Sequence, residues 1–118
     1  MTVSLTKKLL SGSTGGKPIK VTGTSSGAAV TVHTPVAGTD TFDAIWLYAN
    51  NTSTGSVELT IEWGASSDAN IIMSVAAKSG LVLVSPGIYI QDSFPIKAYA
   101  GSANVIFLTG YVNRLEYS

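Results

Sequence analysis

The sequence predicts an all-β chain, folded as a single β-sandwich of jelly-roll or Greek-key type, with a small barrel as the alternative. Three observations predict it. Apolar and polar residues alternate with a period of two along most of the chain, as half-buried strands require. Clusters of Gly, Ser, Asn and Pro interrupt that alternation every 8–14 residues, the rhythm of turns in sandwiches and barrels. No segment repeats its apolar residues at helical spacing over ten or more positions. About eight strands are expected in one domain of 118 residues.

Residues 1–16 fit this pattern least. Polar Ser11-Gly12-Ser13-Thr14-Gly15-Gly16 separates the first ten residues from the rest, so residues 1–16 read as an arm and 17–118 as the sandwich. Such an arm is expected to be mobile alone and ordered on a partner. Residues 17–22 carry Ile19 and Val21 on one face, and residues 28–36 carry Val30 and Val32. Residues 41–49 are apolar on both faces from Ala44 onward. That predicts a central strand buried on both sides, or one face on the core and the other on a partner. Residues 55–64 alternate most cleanly, with Val57, Leu59, Ile61 and Trp63 inward and Glu58, Thr60 and Glu62 in water. The turn-rich residues 50–55 between these two strands predict a hairpin. Further strands are expected at residues 70–77, 80–85, 88–90, 94–100 and 104–115. Pro86-Gly87 has the residues of a tight turn, since Pro presets the first dihedral and Gly accepts a positive second one. Gly110, inside the last strand, predicts a bulge or a close backbone approach.

Composition narrows the function. Seven Lys+Arg balance seven Asp+Glu, and charged residues are only 12% of the chain. Gly, Ser and Thr together supply 40 residues. The balance excludes a strongly basic nucleic-acid binder, and the absence of cysteine excludes a disulfide scaffold or a Cys-based zinc module. No apolar run is long enough for a membrane span or a signal peptide, so the product is expected to stay soluble in the cell that makes it. The neutral total divides unevenly. The first 20 residues hold Lys7, Lys8, Lys17 and Lys20 with no acid, for +4, and the other 98 residues sum to −4. A basic arm therefore precedes an acidic body, and could reach an acidic neighbour or serve only as a solvated tail.

No catalytic constellation stands out. His33 is the single histidine; it has no nucleophile or further ligands nearby in sequence and reads as an exposed or edge-strand residue. Glu58 and Glu62 share a strand face about 13–14 Å apart, too far for either glycosidase geometry. Asp40 and Asp43 flank a strand start, and Asp68 and Asp92 fall in turns, where Asp is ordinary. Residues 11–18 lack phosphate-loop spacing and precede a strand, so they read as a hinge. Trp46 and Trp63 share faces with aliphatic residues and are expected in the core. Trp63 stands before Gly64-Ala65-Ser66-Ser67, where its ring could alternatively lie partly exposed. An aromatic platform for sugar would need Trp63 and neighbouring tyrosines around one concavity. No enzymatic activity, metal or cofactor is expected.

Four segments carry a resemblance. Leu9-Leu10-Ser11-Gly12-Ser13, Lys17-Pro18-Ile19-Lys20-Val21, Thr60-Ile61-Glu62-Trp63-Gly64 and Gly110-Tyr111-Val112-Asn113-Arg114 resemble a group of small virion proteins encoded among the head and tail genes of tailed bacteriophages. The similarity runs from about Leu9 to Leu115. It implies a structural protein of the capsid cement or decoration type, which binds the outer face of the major capsid protein lattice and stabilises the head. It further implies a homo-oligomer, dimer or trimer, made in the bacterial cytoplasm and located on the virion surface, with no nucleic-acid or membrane partner. The expected contact residues are Lys7, Lys8, Leu9 and Leu10 of the arm, with Arg114 and Tyr117 near the other end. The alternatives are a carbohydrate- or receptor-binding module of a virion fibre and a small tail component.

Overall fold

The computed structural model describes residues 2–64, 68 and 70–117. Nine strands run through them: β1 (Val3–Lys8), β2 (Ile19–Lys20), β3 (Val30–His33), β4 (Thr41–Asn51), β5 (Val57–Trp63), β6 (Asn70–Val75), β7 (Val82–Ile90), β8 (Ile96–Ala100) and β9 (Ile106–Tyr117). They form two antiparallel sheets. The long sheet has the order β1-β9-β4-β7, with β2 also paired to β9. The short sheet has the order β3-β8-β5-β6.

β1 and β2 share one edge of β9. β1 pairs with Val112–Tyr117, while β2 pairs with Phe107 and Leu108. Counted as one position, they leave eight positions wound as a jelly roll, in which successive strands mostly alternate between sheets. The expected all-β sandwich is therefore observed.

The core fills the space between the sheets. Ile45, Leu47 and Ala49 of β4 and Ile106, Leu108 and Val112 of β9 face Leu59 and Ile61 of β5 and Ile96, Ala98 and Ala100 of β8. Leu10, Ile19 and Val21 close one side. Each of the Val, Leu and Ile side chains among them contributes about 1.5–3 kcal/mol when fully buried. Gly110 lies where β9 passes closest to β4: a Cβ there would stand 1.9 Å from the Trp46 carbonyl oxygen. The expected close approach is observed, and it explains why glycine is required.

Four local expectations are corrected. Residues 50–55 do not close a hairpin. β4 lies in the long sheet and β5 in the short one, so this segment is an arch across the sandwich. Buried Asn51 holds it: its amide NH2 donates to the carbonyls of Gly55 (2.9 Å) and Val75 (2.8 Å), and its oxygen accepts from the Ser53 amide and hydroxyl. Pro86-Gly87 is not a turn. β7 continues through it, and the pairing with β4 jumps from Ile88 to Pro86, leaving Gly87 as a bulge with φ +80°. Third, the acidic face of β5 is not all in water. Glu62 is buried and accepts a 2.5 Å hydrogen bond from the Ser26 hydroxyl. Trp63 is half-buried and packs against the core, whereas Trp46, expected in the core, has the outward parity of β4 and lies outside the core, because its neighbours Ile45 and Leu47 take the inward positions.

Candidate functional site

The long sheet has two faces of different character. On β4, Asp43, Ile45, Leu47, Ala49 and Asn51 point inward and are buried. Phe42, Ala44, Trp46, Tyr48 and Asn50 point outward. The same parity on β9 sends Phe107, Thr109, Tyr111, Asn113, Leu115 and Tyr117 outward beside them. β1 adds Val3, Leu5 and Lys7 at its edge, and β7 adds Leu83 and Tyr89. Seven of the ten aromatic residues stand on this outer face, and among the described residues its only charges are Lys7 and, at the margin beside Tyr111, Lys8. This matches the double-sided apolar pattern of residues 41–49.

The rings are arranged, not scattered. Trp46 and Tyr111 are directly paired across β4 and β9 and stack with centroids 6.1 Å apart and planes 13° from parallel. Gly87 makes room for the indole: a Cβ at that position would lie 3.1 Å from three Trp46 ring atoms. Phe42 meets Tyr117 edge-on at 5.8 Å and Tyr89 at 6.3 Å. With Leu115 these three rings frame a hollow of about 150 Å³. A second hollow, about 290 Å³, lies between Lys7, Lys8, Leu9 and Tyr111. Trp63 belongs to β5 of the short sheet, so it does not stand with these tyrosines around one concavity.

Beneath this face lies a buried polar network. The two Arg114 guanidinium nitrogens Nε and Nη2 donate to Asp43 Oδ1 and Oδ2 at 2.8 and 3.0 Å. Such bidentate pairing is among the stronger charge-assisted contacts. His33, from the opposite sheet, reaches Asp43 Oδ2 at 2.7 Å through Nε2. Its Nδ1 accepts the Ser11 amide proton at 2.9 Å. A backbone amide can only donate, so Nδ1 carries its lone pair and the ring is neutral with its proton on Nε2. Burial pushes the imidazolium form down, against the opposing pull of Asp43, and His33 titrates below its ordinary value. Burial alone would raise Asp43. The hydrogen bonds from Arg114 and His33, with the Arg114 charge, outweigh it and hold the carboxyl below the usual range. Arg114 is shifted up by the same bond to Asp43.

The expectation of an exposed His33 is thus corrected: the side chain is 1% accessible. Both ring nitrogens are engaged in hydrogen bonds within the chain. Asp43 is likewise not an ordinary strand-start aspartate but the hub joining the sheets. One sequence signal marked it. Asp43 shares the inward parity of Ile45 and Leu47, and a carboxylate there requires a partner.

The expected contact residues separate into groups. Leu10 is buried in the core, and Arg114 is committed to Asp43. Lys7, Lys8 and Leu9 are exposed around the larger hollow, and Tyr117 belongs to the outer aromatic face. β1 pairs with β9 of its own chain. Among the described residues no group of three or more His, Asp or Glu could hold a metal ion, and no helix is long and apolar enough to cross a membrane.

No protein-family model matches the chain, and no curated protein matches it in sequence. A solved structure from work described as "Bacillus endospore appendages form a novel family of disulfide-linked pili" is similar in fold. It superposes with a TM-score of 0.53 at 14% sequence identity, over 99% of this chain and 88% of that one. At that identity the likeness is one of fold.

Proposed function

We propose that the chain is a structural subunit of a tailed-phage virion, a cement or decoration protein that docks on the major capsid lattice and reinforces the head. The observation that carries this reading is the outer face of the long sheet: seven aromatic residues with only Lys7 and Lys8 as charges at its rim, and no element laid over them among the described residues. Uncovered apolar faces of this extent mark sites of association. The polar side chains of Asp43, His33 and Arg114 are bonded to one another inside the sandwich. The resemblance of the four segments supplies the virion context. Many copies on a lattice would convert modest contacts into strong attachment. The test is a reconstruction of the particle that carries the protein. Density for the sandwich on the outer capsid surface is expected; density confined to the tail would overturn the reading.

The fold likeness to an endospore pilus protein favours one second reading, a subunit of a fibrous appendage. That neighbour is described as disulfide-linked, whereas this chain has no cysteine. A fibre of this chain would be held by non-covalent contacts alone. Negative-stain microscopy of the purified protein separates the two readings: spontaneous fibres favour the appendage, and discrete particles favour the cement protein.

A further inference from the structure

We infer that the occupant of the outer aromatic face is a second copy of this chain, packed face to face about a two-fold axis that runs parallel to the strands between β4 and β9. This rests on the structural-subunit reading and names the contact.

Size comes first. β1, β9, β4 and β7 span 6, 12, 11 and 9 residues, which at the usual rise and strand spacing gives roughly 600 Å². That lies at the lower end of the roughly 600–1,000 Å² per partner of a stable interface.

Register comes second. A two-fold axis in this position exchanges β4 with β9, and β1 with β7, while keeping each residue at its own level along the strands. Trp46 and Tyr111 are paired at one level, so each Trp46 would face the second copy's Tyr111. Lys7, Asn113, Ala44 and Tyr89 form another row across the sheet. The axis maps that row onto itself reversed. Small Ala44 would meet Asn113, and Lys7 would meet Tyr89.

Charge comes third. A partner with an ordinary charged surface would strand its charges on this face at the cost of their hydration. A second copy brings only its own Lys7 and, at the margin of the hollow beside Tyr111, Lys8. The two Lys7 side chains fall at opposite rims, each over a tyrosine ring, the arrangement a cation–π contact requires. An isologous contact of this kind is the commonest in homo-oligomers.

The experiment uses the full chain. Sedimentation velocity over a range of concentrations should show a species of twice the 12.2 kDa chain mass. Tyr111→Glu should weaken the association at least tenfold. Because Tyr111→Glu lies mid-strand, a second measurement avoids it. Two single-cysteine chains, Lys7→Cys and Tyr89→Cys, are mixed and treated with a bismaleimide of about 10 Å, the spacing of packed sheets. Cross-linking in the mixture, and not in either chain alone, is expected. A monomeric wild type overturns the second-copy inference. If that monomer binds heads and Tyr111→Glu abolishes the binding, the structural-subunit reading survives with a different occupant. If the monomer shows no binding either, both fall. A dimer that cross-links only Lys7→Cys to itself overturns the proposed axis.

Discussion

The outer faces of the two sheets solve the same problem differently. The short sheet carries Thr31, Glu58, Thr60, Glu62, Lys97 and Tyr99 outward, and the chain covers part of this face itself. The 3-10 turn Ser26–Ala28 lies against it, and Ser26 donates to buried Glu62. Glu62 stands directly opposite Lys97 on the β5–β8 ladder. The long sheet carries aromatic rings outward, and among the described residues no element covers them. A polar face can be finished by a short loop and water; on the function proposed above, the aromatic one is finished by another protein surface. The difference teaches where to look for function: on the face the chain leaves unfinished.

The largest expected effect comes from separating β9 from β4. Gly110→Val places side-chain atoms in the Trp46 carbonyl and is expected to cost more than about 4 kcal/mol, read by thermal or urea unfolding. Asp43→Ala comes next. It leaves Arg114 unpaired and His33 without its acceptor, and a broken buried pair typically costs roughly 3–5 kcal/mol. The readout is again unfolding, with the far-UV spectrum checking that the sandwich persists.

A smaller effect is expected from pH. His33 titrates below its ordinary 6.5 in the folded chain, so the unfolded chain binds the proton more readily. Its contribution is complete above pH 6.5 and is lost as pH falls from there through the depressed folded value. Asp43 adds a further loss only at pH below its ordinary 3.8. Melting temperature should therefore fall on mild acidification, and His33→Gln, which cannot titrate, should flatten the first part of that fall. An unchanged slope would contradict the network. Glu62→Ala removes the acceptor of the Ser26 hydroxyl and should cost about 1 kcal/mol, seen as a shift in urea midpoint. The smallest change in the stability of the single chain is expected for Tyr89→Ser. Tyr89 is 62% exposed, so stability should move by less than about 0.5 kcal/mol while association weakens. That split between stability and association separates the two faces most sharply.

The sandwich was legible in the sequence because period-two alternation is a local property. Val57, Leu59, Ile61 and Trp63 show their shared face without knowledge of any neighbour. Sheet membership is not local. The turn-rich residues 50–55 look the same whether they close a hairpin or arch across the core, and the decision falls to Asn51, whose partner Val75 is 24 residues away. Pro86-Gly87 has turn chemistry, but the positive φ of Gly87 serves a bulge that seats the Trp46 indole. The outer aromatic face was partly legible in the double-sided apolar run of residues 44–49. The network was not: Arg114 lies 71 residues from Asp43, and nothing in the spacing joins them.

β1 gives the molecule a detachable margin. All six of its residues are exposed, so little but its ladder of hydrogen bonds to β9 holds it. Two residues past its end the picture changes, with Leu10 sealed in the core and, two further on, the Gly12 amide bonded to the Val32 carbonyl. The first strand can therefore peel away like the free end of a zip while Leu10 acts as the stop, leaving the core closed. Amide protons of Ser4 to Lys8 should exchange with solvent orders of magnitude faster than that of Gly12, because opening them requires no loss of buried surface.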